Sequence, residues 1–310
     1  MPNTNIKLTV LTPTFNRAQL LPRVYQSLLE QTEKEFEWIV VDDGSTDDTQ
    51  QAVRCWEEKS PFPITYVRQE NSGKHVAVNR GVTLARGELT LILDSDDWLV
   101  PQALERVLHW WDSIPAAARQ KYAGVVGLCA FPSGELVGTR FPQDVMDSDS
   151  IEIRVRYKVK GDKCEVWRTD VLRQFPFPED LGRFVTEALV WNRIACYYKL
   201  RFVNEIWKIT DYQPEGLSAK SLELRVRAPN AALLYYKEFA EMERPDIPWL
   251  RRLREYANYT RFSFHAGVSL RRQAQAAKLK WLWIMAAPVG ASLYLRDRVI
   301  LAKKRRCKRK

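Results

Sequence analysis

Cysteine is scarce in this chain of 310 residues: Cys55, Cys129, Cys164, Cys196 and Cys307, with no C-x-x-C pair among them. An odd set at such spacings excludes both a disulfide framework and a zinc cage. Met1–Thr12 has no basic segment leading into an apolar run, so no secretory signal is expected and a reducing, cytoplasmic setting is. Long apolar stretches are lacking as well. Trp281–Leu295 is fifteen residues without a charge, short of the roughly 20 that a spanning helix needs. Thr12–Arg17 contains no glycine, which removes the glycine-rich phosphate loop that a nucleotidyltransferase would want after its first strand. Negative charge is almost missing from the last sixty residues, which hold 17 Lys and Arg against 2 Asp and Glu. The rest of the chain holds 31 against 36, so the net charge of +10 describes a tail and its partner.

What is present is an ordinary folding composition, 45% hydrophobic and 28% charged, in a chain long enough for one large domain with appendages. Strand and helix signals alternate through the first hundred residues. Strands are expected at 7–11, 36–41, 64–68 and 89–93, with helices at 18–31, 47–59 and 74–85 between them. Such alternation implies right-handed crossovers, and hence an α/β fold with a doubly wound, mainly parallel sheet covered by helices on both faces. From Tyr122 to Tyr212 the pattern is less regular, with strands expected at 124–130, 135–139 and 151–159 and a helix near 186–197. This stretch continues the same domain. After a soft boundary near Ser218 the chain reads as helical, giving a catalytic domain over 1–218 and a helical region over 219–310.

Polar groups gather where the strands end, which is where open α/β sheets bind their ligands. The strongest group is Asp94-Ser95-Asp96-Asp97, directly after the apolar run 89–93. Carboxylates one residue apart at such an edge suit a divalent cation with oxygen ligands, usually one that carries a phosphate partner. An acidic turn capping the helix after Pro101 is the bland alternative. The first strand runs into Thr12-Pro13-Thr14-Phe15-Asn16-Arg17. The second runs into Asp42-Asp43-Gly44-Ser45-Thr46-Asp47, where Gly44 permits a tight turn and Ser45 or Asp47 can cap the next helix. Capping does not explain Asp42. The third leads to Asn71-Ser72-Gly73-Lys74-His75 and on to Asn79, placing Lys74 at a helix N-terminus that favours anions.

These phrases together, "VVDDGSTD", "NxGxxxAxNRG" and "LDSDD", resemble glycosyltransferase family 2, the inverting enzymes with the GT-A fold, over residues 7–217. Gly161-Asp162-Lys163, Phe184–Trp191 and Tyr212–Ser218 are similar to a non-processive, bacterial-type branch. The resemblance implies a nucleotide-sugar donor, most often a uridine diphosphate sugar. Pro13, Thr14, Asn16 and Arg17 would line the nucleoside pocket, with Asp42 or Asp43 accepting hydrogen bonds from the base. Lys74, Asn79, Asp94 and Ser95 would also face the donor. Asp96, with Asp94 beside it, would ligate Mn²⁺ or Mg²⁺ across the two phosphates. Glu187, just before an apolar helix, would be the general base, with Glu179 and Asp180 as rivals. One departure is Val78, which stands where the family pattern has Arg and bears on a phosphate or sugar contact. The Gln-x-x-Arg-Trp motif of processive synthases is absent, which favours transfer of a single sugar. A catalytically silent scaffold or membrane adaptor is the alternative from another class.

The flanks of Trp281–Leu295 are cationic, with Lys278 and Lys280 before it and Arg296, Arg298 and the basic run Lys303–Lys310 after it. Apolar residues with interfacial aromatics between basic clusters suit a segment lying in an anionic leaflet. A peripheral position on the cytoplasmic face of the inner membrane is therefore expected, with a glycan or lipid-linked glycan as acceptor. A nucleic-acid partner is not expected, because no accompanying fold signal exists.

Overall fold

The computed structural model describes residues 6–213 and 221–307, with side chains as far as Lys304. The chain divides into two compact units, residues 1–177 with 190–213, and residues 178–189 with 214–310. The expected boundary near Ser218 and the motif residues Pro214–Ser218 lie outside the described residues, as does Lys308–Lys310.

The first unit is built around one nine-stranded sheet. Its opening half alternates as β1 (Leu8–Thr14), α1 (Leu21–Leu29), β2 (Phe36–Asp42), α2 (Thr49–Glu57), β3 (Ile64–Arg68), α3 (Lys74–Leu84) and β4 (Leu89–Ile92). There follow β5 (Asp97–Leu99), α4 (Ala103–Asp112), α5 (Ala116–Arg119), β6 (Tyr122–Ala130), β7 (Val145–Ser148) and α6 (Glu152–Val155). Then come β8 (Lys163–Arg168), α7 (Thr169–Gln174), α8 (Ala188–Ile194) and β9 (Lys199–Thr210). The strand order is β3-β2-β1-β4-β8-β6-β9-β5, with β7 on β9. Strands β1 to β4, β6 and β9 point one way, while β5, β7 and β8 oppose them, so the sheet is mixed but mainly parallel. Strands β1 and β2 are buried on both faces, as central strands under two layers of helix must be. Gly81 lets α3 approach β1 closely, since a Cβ there would lie 2.1 Å from Leu11 Cδ1.

Two expected strands are corrected. Within residues 151–159 the short helix α6 forms over Glu152–Val155 instead, although Ile151, Ile153 and Val155 alternate as a strand would. Asp149 Oδ1 accepts from the backbone N–H of Ile151 and Glu152 at 2.8 and 2.9 Å, and this capping outweighs the alternation. Residues 135–139 make a single bridge, Ala130 to Leu136, and otherwise turn through Gly138 at φ 79°.

The second unit contains α9 (Ser221–Arg227), α10 (Pro229–Glu241), α11 (Trp249–His265), α12 (Leu270–Ala276) and α13 (Lys280–Cys307). They share a core of Tyr236, Tyr256, Phe262, Leu282, Trp283 and Ala286. Among the described residues, no helix is long and apolar enough to cross a membrane.

Candidate active site

The loops after β1, β2 and β3 are tied to one another before any ligand is considered. Asn16, at φ 52°, donates its backbone N–H to Ser45 Oγ at 2.8 Å and accepts from Thr46 N at 2.8 Å. Asp47 accepts from Ala18 N at 3.0 Å and from Thr49 Oγ1 at 2.6 Å, so one carboxylate holds both the first loop and the start of α2. Asp42 is fully buried and accepts from Ser45 N at 2.7 Å and from the Tyr66 hydroxyl at 2.6 Å. Asp43 accepts from Ser72 N and Gly73 N at 2.8 Å and from Gln69 Nε2 at 2.9 Å. Both acids thus shape the loops at this end of the sheet, and Asp43 fixes the turn that delivers Lys74.

Lys74, in the first turn of α3, places its Nζ 2.5 Å from Asp94 Oδ1. Asp94 and Asp96 follow β4, and Asp97 begins β5, so the quartet is a tight turn (Asp97 N to Asp94 O, 3.0 Å) between two strands. Burial pushes the Asp94 carboxyl up, but the ammonium groups of Lys74 and Lys208 and the Arg17 guanidinium outweigh it and hold the group below the usual range. Asp96 moves the other way: burial, and then the charge of Asp94, raise it. Beneath them, the buried Asp97 pairs with the buried Lys208 at 2.8 Å. Burial works against the Lys208 charge, yet the groups around it, Asp97 among them, hold its pKa well above the ordinary value. Arg23 supports the outer side of the turn. Its guanidinium stacks 4.7 Å from the Trp98 ring and donates to Asp96 O at 3.3 Å and to Asp211 at 2.8 Å.

Asp94 and Asp96 offer carboxylate oxygens at this edge, the kind of ligand a divalent cation takes. Burial, and then the charge of Asp94, disfavour ionisation of Asp96, a penalty that a hard cation beside it would relieve. Among the described residues, no three His, Cys, Asp or Glu side chains converge into a cage. The remaining ligands would therefore be oxygens of a bound diphosphate, as is usual for magnesium-type sites.

Not every expected residue points its chemistry at this edge. Pro13 and Thr14 end β1 in register with Val41 and Asp42 of β2, and Arg17 acts on both Asp94 and Asp96. Ser95 is buried within the turn. The Asn79 amide pairs with the Phe177 backbone, donating to its O at 2.8 Å and accepting from its N at 2.9 Å, so it braces α3. Val78 beside it is buried. Lys163 sends its Nζ to the carbonyls of Val137, Lys160 and Asp162, and Asp162 accepts from the Tyr212 hydroxyl at 2.5 Å. That motif closes a loop. Glu187 is half-buried in the turn entering α8, where Leu189 N donates to Thr186 O at 3.0 Å; Glu179 and Asp180 are exposed. Sequence reasoning missed Arg23 and Lys208. A basic residue at an inward position of a strand was the available signal for Lys208.

A mainly parallel sheet whose strand ends gather carboxylates and cations defines an α/β domain with a candidate ligand edge at those ends. Residues 9–156, a little under half of the chain, match the family model described as Glycosyl transferase family 2, so this part of the chain is similar to that family of glycosyltransferases. It is 30% identical over 190 residues, 60% of this chain and 58% of the relative, to the GalNAc(5)-diNAcBac-PP-undecaprenol beta-1,3-glucosyltransferase of Campylobacter jejuni. The chain spans from 21% to 58% of the length of the first three curated relatives it matches. The fold, of GT-A type, is that of S. aureus TarS 1-349 in complex with UDP-GlcNAc, at TM-score 0.61 and 21% identity over 90% of this chain and 79% of that one. It is shared with the mannosyltransferase PcManGT of Pyrobaculum calidifontis in complex with GDP-Man and Mn²⁺, at TM-score 0.55 and 19% identity, covering 94% and 87%.

Proposed function

We propose that this chain transfers a single sugar, with inversion, from a nucleotide-sugar donor to a hydroxyl of a lipid-linked or cell-surface glycan precursor. The carrying observation is the Lys74–Asp94 pair beside Asp96, in which cationic and anionic groups meet where a diphosphate would lie. A uridine diphosphate sugar is the donor we favour, supported by the family and by the UDP-GlcNAc complex of a protein with this fold.

Pro13, Thr14, Asn16 and Arg17 hold the nucleoside, within loops that Asp42 and Asp43 shape from below. Asp94 and Asp96 would hold Mn²⁺ or Mg²⁺, which when bound would neutralise charge on the nucleoside diphosphate. Lys74 and Arg17 supply fixed positive charge on the same side. Glu187 accepts the proton of the acceptor hydroxyl, whose oxygen attacks the anomeric carbon opposite the leaving group. The cationic C-terminal region would bring the enzyme to the anionic leaflet that holds a lipid-linked acceptor; the undecaprenol carrier in the name of the Campylobacter relative supports that acceptor class.

The test is a screen of nucleotide sugars for donor hydrolysis and transfer, with and without manganese. Asp96→Ala should abolish turnover. Glu187→Gln should retain UDP binding while losing transfer, and full activity in that variant would discard the base assignment.

A further inference from the structure

Helix α13 divides its apolar residues between two faces with different fates. On one face Leu282, Trp283 and Ala286 are buried in the core of the second unit. Gly290 lies so close to α11 that an added Cβ would meet Ala257 O at 2.5 Å. Farther along, the buried Asp297 accepts from Arg261 Nε at 2.5 Å and Nη2 at 2.7 Å, with His265 Nε2 at 3.2 Å. That face is committed to the bundle. The opposite face carries Trp281, Ile284, Met285, Val289, Leu295 and Val299, each between 52% and 63% exposed. They recur at helical spacing from Trp281 to Val299, a stripe of about 27 Å along the axis.

An exposed apolar stripe of this length marks an interaction surface. Its charge identifies the occupant. Lys280, Arg296, Arg298 and Lys303 are exposed on the same helix, and its one acidic residue, Asp297, is the buried one. A docked helix with an apolar outer stripe, basic neighbours and an interfacial Trp matches a leaflet of anionic lipid.

We infer that α13 lies flat on an anionic membrane, its Asp297 face staying on the helical bundle while the Trp281–Val299 stripe enters the headgroup boundary. This deepens the membrane part of the reading above by naming the surface that makes the contact.

The experiment is co-sedimentation of the full chain with phosphatidylcholine vesicles, with or without phosphatidylglycerol. Wild type and a Trp281→Gln/Ile284→Gln/Val289→Gln variant are compared. Because the three side chains are exposed, the variant should keep its circular dichroism and thermal midpoint. Wild type should bind the phosphatidylglycerol vesicles, and the variant about a hundredfold more weakly. Equal binding by both, or no binding by wild type, overturns the assignment. So does a wild-type dimer that the variant splits in sedimentation velocity, since a second copy would then cover the stripe. UDP binding, measured without vesicles, reads the transferase assignment separately. Its loss alone leaves the membrane surface standing.

Discussion

Lys74 Nζ lies 2.5 Å from Asp94 Oδ1, joining the first turn of α3 to the acidic turn after β4. Both side chains are partly exposed, so the pair itself contributes at most about 1 kcal/mol to folding. In the proposed function its weight falls on donor binding. Lys74→Ala should raise the donor KM about tenfold, roughly 1.4 kcal/mol. The thermal midpoint should stay within about 2 °C of wild type. Donor-saturation kinetics beside a melting curve separate the two effects.

The Asp97–Lys208 pair differs because both partners are buried. Lys208→Ala would leave the buried Asp97 carboxyl without its partner, at a cost of about 3–5 kcal/mol. Asp97→Asn/Lys208→Met removes both charges and should recover most of that loss. Urea denaturation of the single and double variants checks this, and an equally unstable double variant would show that the pair is not the cause.

Much of this was legible in the sequence because local rules and tertiary structure agreed. Buried parallel strands read as apolar runs, and the polar groups at their ends read as a candidate ligand edge. The strand β9 was not read, since Arg201, Asn204, Glu205 and Lys208 interrupt its apolar pattern. Each has a partner supplied from elsewhere: Arg201 pairs with Asp147, Glu205 with Arg106 and Lys208 with Asp97, while Asn204 Oδ1 accepts from Phe141 N. Partners distant in the chain make a polar residue tolerable in a strand, and no local window shows them. The same blindness hid Arg23, whose importance comes from Trp98, Asp96 and Asp211. Asp42 and Asp43 were legible as special but not as loop scaffolds.

Gly81 should accept no side chain cheaply. In Gly81→Ala the new methyl would meet the Leu11 side chain at 2.1 Å. Leu11 must then leave its rotamer, and a loss of about 1–3 kcal/mol is expected from overpacking. Leu11→Val in the same background should restore part of it. Chemical denaturation of the single and paired variants reads both.

Acid stability should depend in part on Asp147. Burial pushes its carboxyl up, but hydrogen bonds from Arg201 and Tyr122 win, and the group sits below its ordinary value of 3.8. A depressed carboxyl adds stability that is present above pH 3.8 and disappears as pH falls through the lower folded value. Asp147→Asn should therefore flatten the acid limb of stability against pH. The measurement is the urea midpoint from neutral pH down to the acid transition. A limb unchanged in the variant would show that other carboxylates set it.

The most direct test of the acidic edge is thermal shift with UDP, titrated with Mn²⁺, in wild type and Asp96→Ala. Ligand at about a hundredfold over its Kd should add about 2.7 kcal/mol of apparent stability. The account predicts that UDP raises the wild-type midpoint only when manganese is present, and that Asp96→Ala loses the rise. Equal stabilisation by UDP in chelator and in manganese, unaffected by Asp96→Ala, would contradict it.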